Sequence, residues 1–241
     1  MRLNQFLARA AAGSRREADS WIREGRVRVN GALPAGMGPS VDPLKDRITL
    51  DGGLLVWKEE RRYLAYNKPP GVLVSRRSQG GHPTIFDDLG KVAHGLHCVG
   101  RLDLESEGLL LLTDDGILAE ALLHPRTGLR RVYRVWVEPT PEPEAMRLLR
   151  DGAFVDGVPM RPDRVVLEGA ERGRGILRIE LLEGKKREIR LLTRFAKLHV
   201  HRLVRVQFGP VRLETLPCGA ARPLRQGEIG ALRRLARLTA A

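Results

Sequence analysis

The sequence predicts an α+β fold, in which strands and helices alternate irregularly rather than in a repeating unit. Short stretches that are apolar, or that alternate apolar with polar residues, predict strands. Segments with apolar residues at helical spacing lie between several of them. No βαβ unit recurs at a regular interval, and no internal repeat is present. The 241 residues are enough for one large domain and one small one.

The first 57 residues predict a small module of two helices and a short sheet. Residues 3–10 place apolar side chains on one helical face. Ser14 and Glu17 have the spacing of a capping box, which predicts the start of a second helix. Residues 26–31 alternate as a strand that ends in an Asn-Gly turn, and a second short strand is expected at 46–50.

A charged stretch, residues 58–62, separates this module from a larger domain at 62–241. Two prolines and a glycine at 69–71 predict a fixed turn. The stretch EGAERGRG at 168–175 predicts an exposed loop. Strands are expected at 63–66, 109–112, 131–137, 176–182 and 204–208, and helices through 146–149, 189–196 and 229–235.

The net charge of +13 comes from two basic regions. Residues 1–31 carry +4 and residues 172–241 carry +12, whereas the residues between them carry −3. Positive charge concentrated at both ends of a folded chain favours contact with a polyanion through two surfaces. The charge pattern therefore favours nucleic acid as the partner.

Composition and cysteine use favour a cytoplasmic protein without a membrane anchor. No stretch approaches the roughly 18 consecutive apolar residues that cross a bilayer. The first residues lack the apolar core of a secretory signal. Cys98 and Cys218 lie far apart with no second pair at metal-ligand spacing, so we expect both to be reduced thiols.

Metal-dependent and nucleotide-dependent chemistry find little support in the sequence. His199 and His201 share the face of an expected strand but have no third ligand at a recognisable spacing. No phosphate-binding loop or dinucleotide fingerprint is present. A magnesium-dependent nuclease remains an alternative, with the candidate ligands Glu105, Glu107, Asp114 and Asp115.

The stretch GRLDLESEGLLLLTDDG, residues 100–116, is the strongest candidate for a functional site. Its four leucines, 109–112, predict a buried strand because the run is short and bounded by turn residues. Asp103 lies before this strand and close to Arg101. The residues alone leave two interpretations open. Asp103 either stabilises a turn or is a catalytic carboxylate at the edge of a rigid scaffold.

The same stretch resembles the signature of the pseudouridine synthases that modify bacterial ribosomal RNA, in the branch named after a small-subunit enzyme. Residues 1–57, with SRREA and GRVRVNG, resemble an S4 RNA-binding domain. The resemblance implies that a catalytic domain follows at 62–241, with a mixed, mostly antiparallel sheet, flanking helices and a central cleft. Other blocks resemble the family in the expected order: NKPPGVLVS (67–75), VYRV (132–135), EGKKREIRLL (183–192) and GPVRLETLPCGAARPL (209–224).

The resemblance also implies the reaction and its residues. Pseudouridine formation breaks the bond from ribose C1′ to N1 of uracil and forms a bond from C1′ to C5 of the same base. The resemblance implies that neither a cofactor nor a metal takes part. Asp103 matches the catalytic aspartate, which acts on C1′ or C6 or assists glycal formation. Arg190 matches the basic residue paired with it, and Ile189 the apolar residue beside that arginine. Tyr133 matches the tyrosine that stacks on the target base, and Arg101 is expected to help fill the gap left by the flipped nucleotide.

Ribosomal RNA, free or in a pre-ribosomal particle, is the implied partner, and we expect a monomer. The motif HPTIFDDL (82–89) and the Arg-rich C-terminal half slightly favour a large-subunit target. The alternative is a non-catalytic S4-type RNA-binding or ribosome-assembly protein. The further residues expected to bind RNA are Lys68, Arg15, Arg16, Arg26, Arg28, Lys185, Lys186 and Arg187.

One residue departs from the family pattern. Glu188 stands where the family usually has glutamine, directly before Ile189. We expect its carboxylate to pair with Arg187 or Lys185 and so to weaken the local contact with RNA.

Overall fold

The computed structural model describes residues 1–11, 13–36, 38–57, 60–155 and 157–238. The first two residues of the charged stretch at 58–62 lie outside the described residues. The chain forms two compact units, one of residues 1–62 with 91–97, the other of residues 63–90 with the chain from 98 onward. No described helix is both long and apolar enough to cross a bilayer.

The first unit contains the helices and the sheet that the sequence predicts. These are α1 (Leu3–Ala10), α2 (Arg15–Arg23), β1 (Val27–Val29), β2 (Ile48–Leu50) and β3 (Gly53–Leu54). The predicted capping box is present, because the Ser14 hydroxyl accepts from the Glu17 backbone N–H and the Glu17 carboxylate accepts from that of Ser14. Asn30 and Gly31 have φ values of 53° and 87°, as the tight turn after β1 requires.

From residue 63 onward the chain contributes a large sheet and the helices around it. The strands are β4 (Tyr63–Lys68), β5 (His97–Val99), β6 (Glu107–Thr113), β7 (Arg131–Glu138), β8 (Ala153–Val155), β9 (Val158–Met160), β10 (Arg164–Glu171), β11 (Arg174–Leu181), β12 (His199–Phe208), β13 (Val211–Arg212) and β14 (Ala221–Pro223). The helices are α3 (Ile85–Leu89), α4 (Gly116–Leu123), α5 (Pro143–Asp151), α6 (Glu188–Phe195) and α7 (Gln226–Leu235), with 3₁₀ turns at Gly90–Ala93 and Pro125–Thr127.

The expected mixed, mostly antiparallel sheet is confirmed. Its main path runs β10-β11-β7-β12-β6-β4-β14, and the neighbours on this path are antiparallel except for β12 and β6. Strand β6 lies inside the sheet, and each leucine of its run at 109–112 is at most 2% exposed. Consecutive side chains point to opposite faces, so both faces of the sheet are covered at this strand. The loop before β6 is therefore fixed at the end that joins this strand.

The prediction of an exposed loop at 168–175 is wrong. Strands β10 and β11 pair through this stretch as a hairpin. Its two-residue turn, Arg172-Gly173, has φ values of 51° and 76°. The side chains near the turn are exposed, so no alternation of polarity marked the strands. Backbone pairing with β11, rather than burial, forms the end of β10.

Candidate active site around Asp103

Asp103 lies in the loop that leads into β6. Gly100, with φ of 80°, turns the chain at the start of this loop, in a backbone conformation that favours glycine. The Ser106 backbone N–H donates to the carbonyl oxygen of Asp103 at 3.0 Å and closes a tight turn. The Asp103 side chain is half-buried, and within the described part of the chain its carboxylate has no hydrogen-bond or ion-pair partner. This carboxylate is therefore free to meet a ligand.

Lys68, the last residue of β4, holds this loop from inside the protein. Its Nζ donates to the carbonyl oxygens of Pro69 (2.8 Å), Leu104 (3.1 Å) and Ser106 (2.8 Å). Burial lowers the pKa of Lys68 to about 8, while the carboxylates of Glu107 and Asp103 favour its charged form. The side chain is 0% exposed, which contradicts the expectation that Lys68 contacts RNA. Its contacts make it a support for the loop that carries Asp103.

Arg190 reaches the same loop from α6, but it pairs with a different acid. Its Nη1 lies 3.3 Å from Oε2 of Glu105. The expected ion pair between Arg190 and Asp103 is absent from this structure. Glu105 is 63% exposed, so water screens its pair with Arg190 and the pair contributes little to stability. The Arg190 Nε is buried and has no hydrogen-bond partner among the described residues, so the side chain retains an unused donor.

Tyr133 lies on β7 and is 8% exposed. It is opposite Ile179 on β11 and opposite Arg205 on β12. The Arg205 guanidinium in turn reaches the carbonyl oxygen of Arg101 at 3.5 Å, so the strand of Tyr133 is connected to the loop of Asp103 through one side chain. Sequence reasoning did not single out Arg205, because it lies between two valines of an apparent apolar strand.

Of the two residues that flank these groups, one is accessible and one is not. Arg101 is exposed, as a contact with RNA requires. Ile189 is 4% exposed and packs in the interior at the start of α6. Ile189 is therefore part of the interior packing of α6, the helix that carries Arg190.

The basic loop before α6 is Lys185-Lys186-Arg187. Lys185 is half-buried and is occupied by Glu183 at 2.5 Å and by the carbonyl oxygen of Pro159 at 2.5 Å. Lys186 and Arg187 are exposed, and neither side chain has a hydrogen-bond or ion-pair partner within the described residues. Two of the three cations are therefore available to a polyanion.

Glu188 closes this loop through a hydrogen bond to its backbone. It is 3% exposed, and its carboxylate accepts the backbone N–H of Lys185 at 3.0 Å. Burial raises its pKa. The expected pairing of Glu188 with the side chain of Arg187 or Lys185 is absent among the described contacts. The carboxylate orders the turn that starts α6, as a glutamine oxygen at the same position would.

In the first unit, the four arginines expected to contact RNA differ in their surroundings. Arg15, Arg16 and Arg28 are exposed. Arg26 is exposed too, but its guanidinium lies 2.6 Å from the Asp51 carboxylate and 3.2 Å from that of Glu24. Its charge is largely balanced, so it is the least available of the four.

Comparison with known proteins identifies the family of this arrangement. Residues 62–194 match the RNA pseudouridylate synthase model, and residues 1–33 match the S4 domain. The chain belongs to the RNA pseudouridine synthase family. Its members are isomerases, and in this chain an S4 module precedes the synthase domain. The family and fold expected from the motifs are confirmed.

Individual relatives agree with the family match. The chain is 41% identical over 238 residues to the ribosomal large subunit pseudouridine synthase B of Pseudomonas aeruginosa, over 96% of this chain and 61% of that protein. It is 36% identical over 233 residues to an uncharacterized RNA pseudouridine synthase of Aquifex aeolicus, over 96% and 93% of the two chains. A crystal structure of a pseudouridylate synthase superposes with a TM-score of 0.65 at 30% identity, over 96% and 99%. The chain thus spans less than two thirds of the Pseudomonas protein and nearly all of the other two.

Proposed function

We propose that the chain converts a uridine of large-subunit ribosomal RNA to pseudouridine, with Asp103 as the catalytic residue. The observation that carries this proposal is a half-buried carboxylate with no hydrogen bond and no ion pair in the described structure, on a loop anchored by the buried Lys68. A carboxylate in that setting is available to react and needs little rearrangement. The printed name of the Pseudomonas aeruginosa relative supports the large-subunit target.

The proposed chemistry is an isomerisation that balances without an oxidant or a reductant. The bond from ribose C1′ to N1 of uracil breaks, the base turns, and a bond from C1′ to C5 forms. C5 loses its proton and N1 gains one. Asp103 acts on C1′ or on C6, or assists glycal formation, and each route needs an ionised carboxylate. Tyr133 would stack on the base, and the unused donor of Arg190 would meet an anionic group of the substrate or Asp103 itself.

RNA binding is divided, in this proposal, between the two ends of the chain. The S4 module, residues 1–57, contacts phosphates through Arg15, Arg16 and Arg28. The catalytic domain, residues 62–241, adds the exposed Lys186 and Arg187 near α6. We further propose that the chain acts as a monomer in the cytoplasm, on ribosomal RNA or on a pre-ribosomal particle.

The decisive experiment maps pseudouridines in ribosomal RNA from cells with and without the gene. We expect one large-subunit position to lose its modification and to regain it with the parent gene, but not with Asp103→Asn. Loss of a small-subunit position would move the target while leaving the reaction intact. An unchanged map, together with RNA binding by the purified chain, would favour the non-catalytic alternative.

The nuclease alternative is weakened by the partners of its candidate ligands. Glu107 pairs with Arg202 at 2.8 Å, and Asp115 pairs with Arg233 at 3.1 Å. Loss of activity in a chelator, with the RNA fold controlled, would revive that alternative.

A further inference from the structure

Arg205 is a buried cation that the proposed chemistry does not use. It lies on β12, is 2% exposed, and has no carboxylate within ion-pairing distance among the described residues. Its Nη2 is buried and has no hydrogen-bond partner in that part of the chain. Burying an unpaired guanidinium with an unsatisfied donor is unfavourable. A group held at such a cost is a candidate for a functional role.

The contacts of Arg205 bracket the loop that carries Asp103. Its Nε donates to the carbonyl oxygen of Leu109 at 2.7 Å, and its Nη1 to that of Arg101 at 3.5 Å. Arg101 precedes Asp103, and Leu109 lies on β6 after the loop has ended. One guanidinium therefore holds both ends of the loop, while Lys68 holds its middle.

The backbone of Arg205 is placed between the two halves of the site. It is opposite Tyr133 on one side and opposite Gly108 of β6 on the other. Gly108 has φ of 100°, and a Cβ there would lie 2.4 Å from the carbonyl oxygen of Arg205. Only glycine permits this approach of β6 to β12. Arg205 is thus in contact with the strand of the stacking ring and with the loop of the reactive carboxylate.

We infer that Arg205 is a positioning residue for the proposed reaction, setting the distance between Asp103 and the ring of Tyr133. This inference rests on the proposed function. A planar guanidinium can direct donors to two carbonyl groups at once, which an ammonium cannot reproduce with the same geometry. Catalytic geometry is sensitive to displacements of about 1 Å. Arg205 therefore affects the rate of the bound complex rather than the affinity for RNA.

Arg131 provides a matched control. It is also buried, at 9% exposed, and both guanidinium groups lie over the ring of Phe208, at 5.5 Å for Arg131 and 4.8 Å for Arg205. The Arg131 Nη1 donates to the carbonyl oxygens of Leu129 and Leu182, which lie outside the Asp103 loop. A substitution at Arg131 therefore tests burial and packing without touching that loop.

The experiment compares Arg205→Lys with Arg131→Lys in the full chain. Unfolding in urea measures stability, and single-turnover pseudouridine formation at saturating ribosomal RNA measures the rate. We expect both variants to lose stability. Arg205→Lys should lose at least about tenfold in rate, which is about 1.4 kcal/mol of barrier, with an RNA Kd within twofold of the parent. Arg131→Lys should keep the parent rate within twofold.

Equal rates for the two variants, or a defect of Arg205→Lys that more RNA removes, would overturn the inference. Arg205→Gln is a second variant that tests the inference if Arg205→Lys fails to fold. It removes the buried charge and can reach at most one of the two carbonyls, so it should fold and still lose rate; a parental rate in this variant would also overturn the inference. Activity of the parent chain is measured first, because its absence would reject the proposed function and not the role of Arg205.

Discussion

Replacing Lys68 with methionine separates a support for the Asp103 loop from an RNA contact. Methionine keeps a linear side chain of similar length and removes the ammonium group. The carbonyl oxygens of Pro69 and Ser106 would then lose the donor that Lys68 supplies. The carbonyl oxygen of Leu104 would keep one partner, because it also accepts the backbone N–H of Gly71 at 2.9 Å. The change thus leaves two acceptors without this donor, the buried carbonyl of Ser106 and the partly buried carbonyl of Pro69.

The expected loss of stability follows from those two acceptors. A buried acceptor that loses its donor costs about 1–3 kcal/mol. Relief from burying the ammonium offsets much of the sum, so we expect Lys68→Met to lower the free energy of unfolding by about 1–2 kcal/mol. The loop should also become less ordered, and the single-turnover rate at saturating RNA should fall at least about tenfold. Affinity for RNA should not change, because the side chain is 0% exposed.

The assays are urea unfolding, RNA binding and single-turnover formation of pseudouridine. Lys186→Met is the control, since Lys186 is exposed in the basic loop and should show the opposite result, weaker RNA binding with unchanged stability. Parental stability in Lys68→Met together with weakened RNA binding would refute the role of Lys68 as a support. It would mean that the side chain leaves the interior to meet RNA.

The pH dependence of the parent chain also tests Lys68, because rising pH should make folding more favourable but should lower the reaction rate. The pKa of Lys68 falls from 10.5 to about 8 on burial. Between these pH values the unfolded chain holds the proton more tightly, so Lys68 makes folding more favourable as pH rises through this window. The rate should instead decline through a midpoint near pH 8, because the neutral amine is a weaker donor to the loop. If the rate of Lys68→Met declines with rising pH as the parent's does, the decline is caused by a group other than Lys68.

Three further predictions concern the site and the two basic ends. Asp103→Asn should fall below about 1% of the parent rate with RNA affinity intact, because the amide is isosteric but not nucleophilic; a variant with substantial turnover would remove Asp103 from the chemistry. Tyr133→Phe should keep its affinity for RNA and Tyr133→Ala should react more slowly, because the aromatic ring stacks on the base. Normal turnover of Tyr133→Ala would mean that Tyr133 only packs within the sheet. The double variant Arg15→Ala, Arg16→Ala should flatten the slope of log affinity against log salt by about 0.7–0.9 for each lost phosphate contact, and more RNA should restore its rate. More RNA should not restore the rate of Arg190→Ala. Equal rescue of both would make Arg190 another phosphate contact.

Local patterns were sufficient to predict much of the fold. The capping box at Ser14 and Glu17 depends on a spacing of three residues. The turn at Asn30 and Gly31 depends on which residues tolerate positive φ. The leucine run of β6 predicts its own burial, because removing each of these apolar side chains from water is favourable. The hairpin at 168–175 was missed because pairing to a neighbouring strand leaves no mark on exposed side chains.

By itself the sequence determined the order of the motifs and the basic character of both ends, and its resemblance to the pseudouridine synthases singled out Asp103 as the candidate catalytic carboxylate. Only the tertiary structure decided which cation meets which acid or carbonyl group. Lys68 and Arg205 carry the same charge as the exposed Lys186, yet they are buried against the Asp103 loop. Arg190 meets Glu105 rather than Asp103. The reason is that charge and polarity are properties of a residue, whereas burial and partners depend on strand register and on contacts between residues far apart in the chain.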